Sequence, residues 1–343
     1  MLGASCHDKY QVLKTAMLLG LETFSYHLAF AYGKMNIFDF IQRTAELGLD
    51  GVQINVEGYD LAHLGSDDPG FLREVRATID GLGLFVELDT CDTNPDNLTR
   101  VLNICKVLGA DKMRVYSSIG GNVQEELKQA VEDFLQVINI CADYGIRISF
   151  ENHEFESSHD VLEVVRKVNS EHVGAHIDTG NSMMVWEDPI DAIKAMAPHA
   201  VSTHFKDHLV IMRNNQPMII GVPLGKGCID LAEAYRILTE QSPLDRINIE
   251  VCYGYIAHFR LPEAEGYGAK LGQGSFRIHQ PPYDPAVIAP YIFHSLDDVV
   301  ELESYAWQDL AKIPISESER RELVVLQDQA VVESVDYVKR LND

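Results

Sequence analysis

Short apolar runs rich in β-branched residues alternate along the chain with longer stretches of helical periodicity. Each apolar run ends in polar residues before a helical stretch follows, which is typical of βαβ units with parallel strands. Eight such units can be counted. Their strands are predicted at 19–26, 51–56, 84–88, 112–116, 147–150, 172–177, 201–205 and 246–251.

The helical stretches carry glycine stop signals. A helix predicted at 37–47 ends before Gly48, and one predicted at 122–144 ends before Gly145. The phrases AELGLDGVQI, KVLGADKMRV and CADYGIRISF all repeat the order helix, turn, strand. One βα unit used eight times predicts an α/β fold of the (β/α)8 TIM barrel type rather than a doubly wound sheet.

The chain is long enough for one barrel with insertions, so we expect a single domain over 1–343. The barrel is predicted within 19–252, after a loose leader that ends at about Met17. Residues 253–314 are rich in glycine, proline and aromatic side chains. They are predicted to form a long insertion that covers the barrel mouth or contacts a partner chain. The helical pattern resumes at 317–341, where a terminal helix is predicted.

Composition narrows the class of protein. Hydrophobic residues at 46% and charged residues at 23% are typical of a soluble globular protein. The formal net charge of −24 would repel a phosphate backbone, so nucleic acid is not an expected partner. The apolar stretch 15–21 is too short to span a membrane. Six cysteines lie far apart without a CxxC pair or a secretory leader, so the expected location is the reducing cytoplasm.

Four predicted strands end in a residue that can bind a metal. Strand five leads to Glu151, strand six to Asp178, strand seven to His204 and strand eight to Glu250. Functional groups of TIM barrels lie at the carboxyl ends of the strands. The four side chains are therefore predicted to converge on one side of the barrel mouth.

Three carboxylates and one imidazole form an oxygen-rich ligand set for one divalent cation. Such a set favours Mn²⁺, with Mg²⁺ and Co²⁺ also suitable and Zn²⁺ less favoured. Without a cation, three neighbouring carboxylates would repel one another and raise each other's pKa. The alternative interpretation is a group of helix-capping or ion-paired side chains at the strand ends.

A metal in this position would suit the chemistry of keto-sugars. Bound to the carbonyl and a neighbouring hydroxyl, it would stabilise the enediolate that forms when an α-proton leaves. Glu151 and Glu250 are candidates to remove and return that proton. His153 is the alternative base, and its structural alternative is a hydrogen-bonding role around the metal ligands.

Other polar and aromatic residues near the strand ends are candidate substrate contacts. Lys206 and Asp207 either orient the substrate or pair with each other. His176 is interpreted as a barrel-interior or substrate contact rather than a ligand. Tyr253 either lines a sugar pocket or belongs to a small core of the insertion. The full set of candidates is His176, Asn181, Lys206, Asp207, His27 and Tyr253.

These strand-end motifs, with LGLDGVQI early and PLGKGCID before the penultimate helix, resemble the sugar phosphate isomerase/epimerase superfamily of xylose-isomerase-like TIM barrels. The resemblance spans roughly residues 19–252. It implies a Glu, Asp, His, Glu metal site at the four strand-end residues. It also implies that the two glutamates act as acid and base.

Two positions depart from the ketose 3-epimerases of that superfamily. Where those enzymes carry a substrate-binding His three residues after the Asp, this chain has Asn181, and their Arg six residues after the metal His is Val210. The ENH sequence at 151–153 and the long insertion are similar to the larger subunit of bacterial C-glycoside deglycosidases. That resemblance implies a His near the metal that acts as base on a 3-oxo-glycoside, and a small partner subunit.

The leading hypothesis is a metal-dependent sugar isomerase or epimerase. The alternative within the same chemistry is a lyase that cleaves the C-glycosidic bond of a 3-oxo-glycoside. A non-catalytic sugar-binding barrel is the alternative from a different class. We expect a small sugar or glycoside as substrate, and an oligomer either of identical chains or with a small subunit.

Overall fold

Eight parallel strands close into a barrel in the computed structural model, which describes residues 16–58, 61–117, 122–261, 267–293 and 315–342. Strands that are neighbours in the chain pair with each other, and the last barrel strand pairs with both the seventh and the first, which closes the ring. The predicted (β/α)8 TIM barrel is confirmed. Its strands are β1 (Leu18–Glu22), β2 (Gly51–Asn55), β3 (Phe85–Cys91), β4 (Lys112–Tyr116), β5 (Arg147–Glu151), β6 (Val173–Asp178), β7 (Ala200–Phe205) and β10 (Arg246–Ile249).

Helices follow the strands and pack on the outside of the barrel. The predicted stops agree with the structure: Gly145 adopts the left-handed conformation at the end of the long helix that starts at Val123. Asn36 and Asp39 form a capping box at the start of another helix. The helices are α1 (His27–Ala31), α2 (Ile37–Glu46), α3 (Pro69–Leu82), α4 (Pro95–Leu108), α5 (Val123–Tyr144), α6 (Ser158–Val168), α7 (Pro189–Met196), α8 (Leu231–Gln241) and α9 (Glu317–Asn342).

The first strand is shorter than predicted. It ends at Glu22, and residues Thr23–Tyr26 form a 3₁₀ turn instead of continuing the strand. The Glu22 carboxylate explains this end, because it accepts a hydrogen bond from the Phe24 backbone N–H at 2.5 Å and so caps the turn. The prediction that β structure reaches Tyr26 is therefore wrong.

A second, three-stranded antiparallel sheet, not predicted from the sequence, lies beside the barrel mouth. Strands β8 (Asp207–Arg213) and β9 (Gln216–Val222) form a hairpin, and β11 (Ile256–His258) pairs with β9. Asn214 and Asn215 both have positive φ at the hairpin turn, as type I′ turns require. This sheet uses part of the predicted insertion.

The C-terminal helix α9 takes the position of the eighth barrel helix, after β10. Gln327 is fully buried and its side chain accepts a hydrogen bond from the Ala29 backbone N–H at 3.1 Å. Asp328 pairs with Arg43 at 2.9 Å and accepts a hydrogen bond from the Tyr26 hydroxyl at 2.6 Å. These contacts hold α9 against the start of the chain and confirm the predicted terminal helix.

Several predicted features lie outside the described residues, namely the leader up to residue 15 and the parts of the insertion at 262–266 and 294–314. The described remainder of the insertion packs against the barrel through buried side chains such as Phe276 and Tyr291. None of the helices in the described parts of the chain combines the length and the apolarity that crossing a membrane requires.

Candidate functional site

The carboxyl ends of β5, β6, β7 and β10 bring the four predicted metal ligands together. His204 Nδ1 lies 3.2 Å from Glu151 Oε1, 3.0 Å from Glu250 Oε2 and 3.9 Å from Asp178 Oδ2. All four side chains are buried. Because the parallel strands end on one rim of the barrel, residues as far apart in sequence as Glu151 and Glu250 meet around a single imidazole nitrogen.

This donor set fits a divalent cation. Both oxygens of Glu151, Oδ2 of Asp178, Oε2 of Glu250 and Nδ1 of His204 are buried and lack a hydrogen bond of normal geometry. Potential ligand atoms form two groups, and within each group they lie within 4.8 Å of one another, close enough to share an ion. One group is Glu151, His176 and His204, and the other is Asp178, His204 and Glu250. Carboxylate oxygen and imidazole nitrogen are common ligands of Mn²⁺, Co²⁺ and Zn²⁺.

His176 joins the cluster more closely than the sequence analysis expected. Its side chain is fully buried, and Nε2 lies 3.7 Å from Glu151 Oε1. Its ring meets the His204 ring edge-on with centroids 4.2 Å apart. Because residues two apart on a strand point to the same face, His176 lies next to Asp178 on the inside of the barrel. It is placed to act as a further ligand or as a contact for a bound substrate.

Two buried cations neutralise the carboxylates. Lys206 Nζ lies 2.7 Å from Asp178 Oδ2 and 2.6 Å from Glu250 Oε2. Arg114 Nη2 lies 2.5 Å from Glu151 Oε2. The sequence predicted that Lys206 contacts substrate or pairs with Asp207, whereas in the structure it pairs with two of the predicted metal ligands.

These charges determine the protonation of the cluster. Burial raises the pKa of Glu151, but Arg114 and His204 outweigh it and hold that pKa well below its usual range. Burial opposes ionisation of Glu250 too, and His204 and Lys206 again keep its pKa well below the ordinary value. Burial lowers the pKa of His204, but Glu250 and Glu151 reverse the direction and raise it to about 10. The two glutamates are thus ionised around an imidazole that carries a proton a metal would displace.

Asp178 differs from the two glutamates. Burial raises its pKa to about 7, although Lys206 acts in the opposite direction. Its Oδ1 accepts hydrogen bonds from the backbone N–H groups of Gly180 and Asn181, each at 2.8 Å. Asn181, a predicted substrate contact, therefore orients Asp178 through its backbone. Oδ2 of Asp178 remains directed at Lys206 and the cluster.

His153, the alternative base, stacks on the Tyr116 ring with centroids 3.7 Å apart. Burial lowers its pKa, so the neutral imidazole is favoured. It follows Glu151, the last residue of β5, by two residues, and the two side chains are close enough to interact electrostatically. A neutral imidazole beside the cluster is able to accept a proton.

Asp207 is the first residue of β8 and directly follows Lys206, but it does not join the cluster. Its Oδ2 accepts hydrogen bonds from the backbone N–H groups of Gly225 at 3.0 Å and Gly227 at 2.8 Å. Its Oδ1 accepts another from Ile229 at 3.3 Å. In the structure Asp207 shapes the loop between β9 and α8, and its contact with substrate stays a prediction.

His27 and Tyr253 are also engaged by the protein itself. His27 stacks on Phe24 with centroids 4.4 Å apart, and its Nδ1 lies 2.8 Å from the Phe24 carbonyl oxygen. The Tyr253 hydroxyl donates to the Pro285 carbonyl at 2.6 Å. Both side chains are buried, so in this structure they support the walls of the barrel mouth.

A further wall of the mouth was missed by the sequence analysis. Glu154, just after β5, pairs with Arg260 and accepts a hydrogen bond from the Tyr255 hydroxyl. The Tyr255 ring in turn lies 6.2 Å from the ring of His208, which is fully buried. These contacts attach the start of the insertion to the loop after β5. A charged residue soon after β5 was the available signal.

Arg114 was missed for a different reason. It lies within β4, in the sequence KMRVY, where it was counted as an ordinary strand residue. It is nearly fully buried and also lies 3.6 Å from Asp89, another carboxylate inside the barrel. A charged residue in the middle of a barrel strand was the signal that could have revealed it.

Comparison with known proteins agrees with the barrel fold. Residues 41–271 match the family model described as xylose isomerase-like TIM barrel. The chain belongs to this family. Among curated relatives, it is 28% identical over 193 residues to an uncharacterized protein, YihM, of Escherichia coli strain K12. That match covers 56% of this chain and 59% of the E. coli protein, less than two thirds of its length.

A second relative is the 3-oxo-isoapionate decarboxylase of Pectobacterium atrosepticum. It is 28% identical over 200 residues, covering 56% of this chain and 69% of that enzyme. Among solved structures, a D-allulose 3-epimerase from Methylomonas sp. matches 95% of this chain and 98% of its own, with a TM-score of 0.56 and 14% identity. At that identity the likeness shows a shared fold alone.

Proposed function

We propose that this protein is a divalent-metal-dependent enzyme that removes a proton α to the carbonyl of a keto-sugar, as an isomerase or epimerase. The observation that carries the proposal is the meeting of Glu151 Oε1 and Glu250 Oε2 at the same nitrogen of His204, at 3.2 and 3.0 Å. The two carboxylates come from strands on either side of β7. They are therefore suited to act on opposite faces of a substrate held between them.

In this proposal Glu151, Asp178, His204 and Glu250 hold the cation, with Mn²⁺ preferred. When bound, the cation would polarise the substrate carbonyl and stabilise negative charge on its oxygen. Glu151 and Glu250 are ionised by their cationic neighbours, so each is able to accept the α-proton at its carboxylate. One ionised glutamate takes the proton, and the other, once protonated from solvent, returns a proton to the planar carbon. The first glutamate then releases its proton to solvent, so both carboxylates are regenerated.

Lys206 and His153 support the same chemistry. The Lys206 ammonium, which contacts Glu250 at 2.6 Å, is able to hydrogen-bond a substrate oxygen beside the cluster. His153 is the alternative base, as its pKa is lowered by burial and it lies beside Glu151. The buried cluster excludes bulk water, which strengthens each of these interactions.

A lyase is the second candidate, favoured by one of the relatives. The name 3-oxo-isoapionate decarboxylase describes cleavage of a carbon–carbon bond beside a 3-oxo group. Loss of carbon dioxide would leave the same kind of enolate that proton removal leaves. In a 3-oxo-glycoside, proton removal would form that enolate first, and β-elimination would then expel the aglycone with its bonding electron pair and leave an enone. The residues Asn181 and Val210, in place of the His and Arg expected of ketose 3-epimerases, support a substrate other than a free ketose. A C-glycoside deglycosidase with a small partner subunit remains within this candidate.

The test uses purified protein with and without a chelator. Free ketoses, a 3-oxo sugar acid and a 3-oxo-C-glycoside are incubated in deuterated water, and deuterium uptake, carbon dioxide and released aglycone are measured. Deuterium uptake into a ketose that stops with chelator supports the isomerase. Chelator-sensitive release of carbon dioxide or aglycone without ketose exchange supports the lyase instead. Tight sugar binding without turnover of any substrate would indicate a non-catalytic barrel. The cytoplasmic location and the oligomeric state stay predictions from the sequence.

A further inference from the structure

Gln53 contacts His204 on the side of the imidazole that faces away from the carboxylate cluster. It lies on β2, and its side chain is fully buried inside the barrel. Its Oε1 lies 2.9 Å from His204 Nε2. The other ring nitrogen, Nδ1, faces Glu151 and Glu250. The two nitrogens of His204 therefore have different partners, and Gln53 is the partner of the one outside the cluster.

The orientation of the Gln53 amide is fixed by its other neighbour. Gln53 Nε2 lies 3.5 Å from Glu87 Oε2 on the adjacent strand β3. Glu87 also accepts a hydrogen bond from Asn248 Nδ2 at 2.9 Å and pairs with Arg246 Nε at 2.5 Å. A carboxylate surrounded by donors acts only as an acceptor. The amino group of Gln53 must therefore face Glu87, which leaves its carbonyl oxygen facing His204.

This orientation has a consequence for the imidazole. A carbonyl oxygen only accepts hydrogen bonds, so His204 Nε2 must carry a hydrogen in order to bond to Gln53. The remaining nitrogen, Nδ1, is then the one that would bind a metal, once the metal displaces its proton. A second hydrogen bond of this kind fixes both the tautomer and the ring orientation of histidine ligands in metal sites.

We infer that Gln53 is a positioning residue for the metal site, holding His204 in the tautomer that presents Nδ1 to the cation, with Glu87 fixing the Gln53 amide. This inference rests on the proposed function, because it assumes that His204 is a ligand. It assigns a task to the buried polar residues on β2 and β3, which contribute no ligand themselves.

The test compares three variants of the full chain. Gln53→Met keeps the length of the side chain and removes the acceptor. Gln53→Glu keeps an acceptor for Nε2–H but places a second carboxylate next to Glu87. Gln327→Met is the matched control, because Gln327 is another fully buried glutamine whose amide lies near a histidine nitrogen, 3.2 Å from His27 Nδ1, outside the cluster. Affinity for Mn²⁺ is measured by chelator competition, and folding by circular dichroism and thermal melting.

We expect Gln53→Met to bind Mn²⁺ about 10- to 100-fold more weakly than the unaltered protein while remaining folded. Gln53→Glu should melt at a lower temperature, since like charges meet in the barrel, yet bind Mn²⁺ more tightly than the Met variant. Gln327→Met should bind Mn²⁺ as the unaltered protein does. If Gln53 served only to stabilise the fold, the variants with the lowest melting temperatures would also be the ones that bind Mn²⁺ most weakly.

A spectroscopic measurement reports the tautomer directly. Long-range ¹H–¹⁵N spectra of protein with ¹⁵N-labelled histidine, loaded with Zn²⁺, should show His204 with hydrogen on Nε2 and metal on Nδ1. In Gln53→Met this pattern should weaken or change, while the other histidine signals remain.

The outcomes separate the inference from the proposal on which it rests. If the unaltered protein binds no divalent metal, the proposed function fails. If it binds Mn²⁺ and Gln53→Met binds equally well, the positioning role is overturned and the proposed function stands. The role is also overturned if Gln53→Glu binds no better than Gln53→Met, or if Gln327→Met loses as much affinity as Gln53→Met.

Discussion

Lys206 and Asp178 form a buried ion pair, with Nζ 2.7 Å from Oδ2, inside the group of side chains that could hold a metal. The same ammonium lies 2.6 Å from Glu250. Lys206 and a divalent cation would therefore compete for the same carboxylate oxygens of Asp178 and Glu250. In the metal-free protein Lys206 supplies the positive charge that keeps these carboxylates stable when buried.

Replacing Lys206 should lower the stability of the metal-free protein and strengthen its binding of metal. For Lys206→Met we expect the metal-free protein to lose about 3 to 5 kcal/mol of unfolding free energy, because two carboxylates lose their buried partner. Affinity for Mn²⁺ should rise by roughly tenfold, since a competing positive charge is removed. Denaturant unfolding with and without Mn²⁺ measures both. The control is Lys226→Met, which removes an exposed lysine that pairs with Glu333. If Mn²⁺ stabilised Lys206→Met less than it stabilises the unaltered protein, Lys206 would not compete with the metal.

Glu250 should be needed for proton transfer. Glu250→Gln keeps the shape of the side chain but removes the carboxylate that would accept or return a proton. We expect exchange of the substrate α-proton with deuterated solvent to fall by about 10²- to 10⁴-fold. The exposed Glu240 on α8 provides a matched Glu→Gln control. Unchanged exchange in Glu250→Gln, with circular dichroism showing a folded protein, would remove Glu250 from the proposed mechanism.

Glu156 should make stability depend on pH. Burial raises its pKa from the ordinary 4.5 to about 7. Between these values the folded protein holds a proton that the unfolded chain releases, so this residue lowers stability as pH rises through that window. Glu156→Gln should therefore gain up to about 3 kcal/mol over the unaltered protein at pH 8 and little near pH 4.5. Urea unfolding at the two pH values tests this, and an equal difference at both would show that Glu156 does not titrate as described.

The pair of Glu154 with Arg260 should hold the wall of the mouth in place. Both side chains are largely buried, and Arg260 also lies over the Phe155 ring with its guanidinium carbon 4.9 Å from the centroid. Arg260→Met should cost about 3 kcal/mol of unfolding free energy, because the Glu154 carboxylate is left without its cation. It should raise KM for the substrate while leaving Mn²⁺ affinity unchanged. Arg213→Met, at the hairpin turn, is the control for loss of an arginine. Weakened Mn²⁺ binding in Arg260→Met would show instead that the pair of Glu154 and Arg260 supports the metal ligands.

The sequence predicted the barrel and the residues at its strand ends because both depend on local patterns. Apolar runs that end in Glu151, Asp178, His204 and Glu250 are visible without any knowledge of tertiary contacts. The strand ends then place these residues on one rim, since all barrel strands are parallel.

Residues that act across the barrel could not be predicted in this way. Gln53, Glu87 and Arg114 lie within strands, and their partners lie on other strands. Which polar residue faces inward, and which inward residue it meets, depends on strand register and barrel stagger, which the sequence pattern does not reveal. The roles of Lys206 and Asp207 were ambiguous for the same reason, because adjacent residues point to opposite faces.

The second sheet was not predicted because most of its residues lie within the connection of an expected βα unit. A strand followed by a helix was already assigned around 201–205, so the hairpin β8–β9 was treated as the connection between them. The Asn214–Asn215 pair, flanked by apolar runs, was the available turn signal. The closing strand β11 comes from sequence beyond β10, and no local pattern links it to the hairpin.

The proposed ligands and several of the residues that contact them lie in different halves of the barrel, which limits how half-barrels can be exchanged between proteins. All four proposed ligands come from β5 to β10, while Gln53, Glu87 and Arg114 come from β2 to β4. A half-barrel starting at β5 would carry every ligand and Lys206 but would lack Gln53, which contacts His204, and Arg114, which pairs with Glu151. Chimeras that join the front half of one family member to the rear half of another would therefore inherit intact ligands and still need a matching set of residues on β2 to β4.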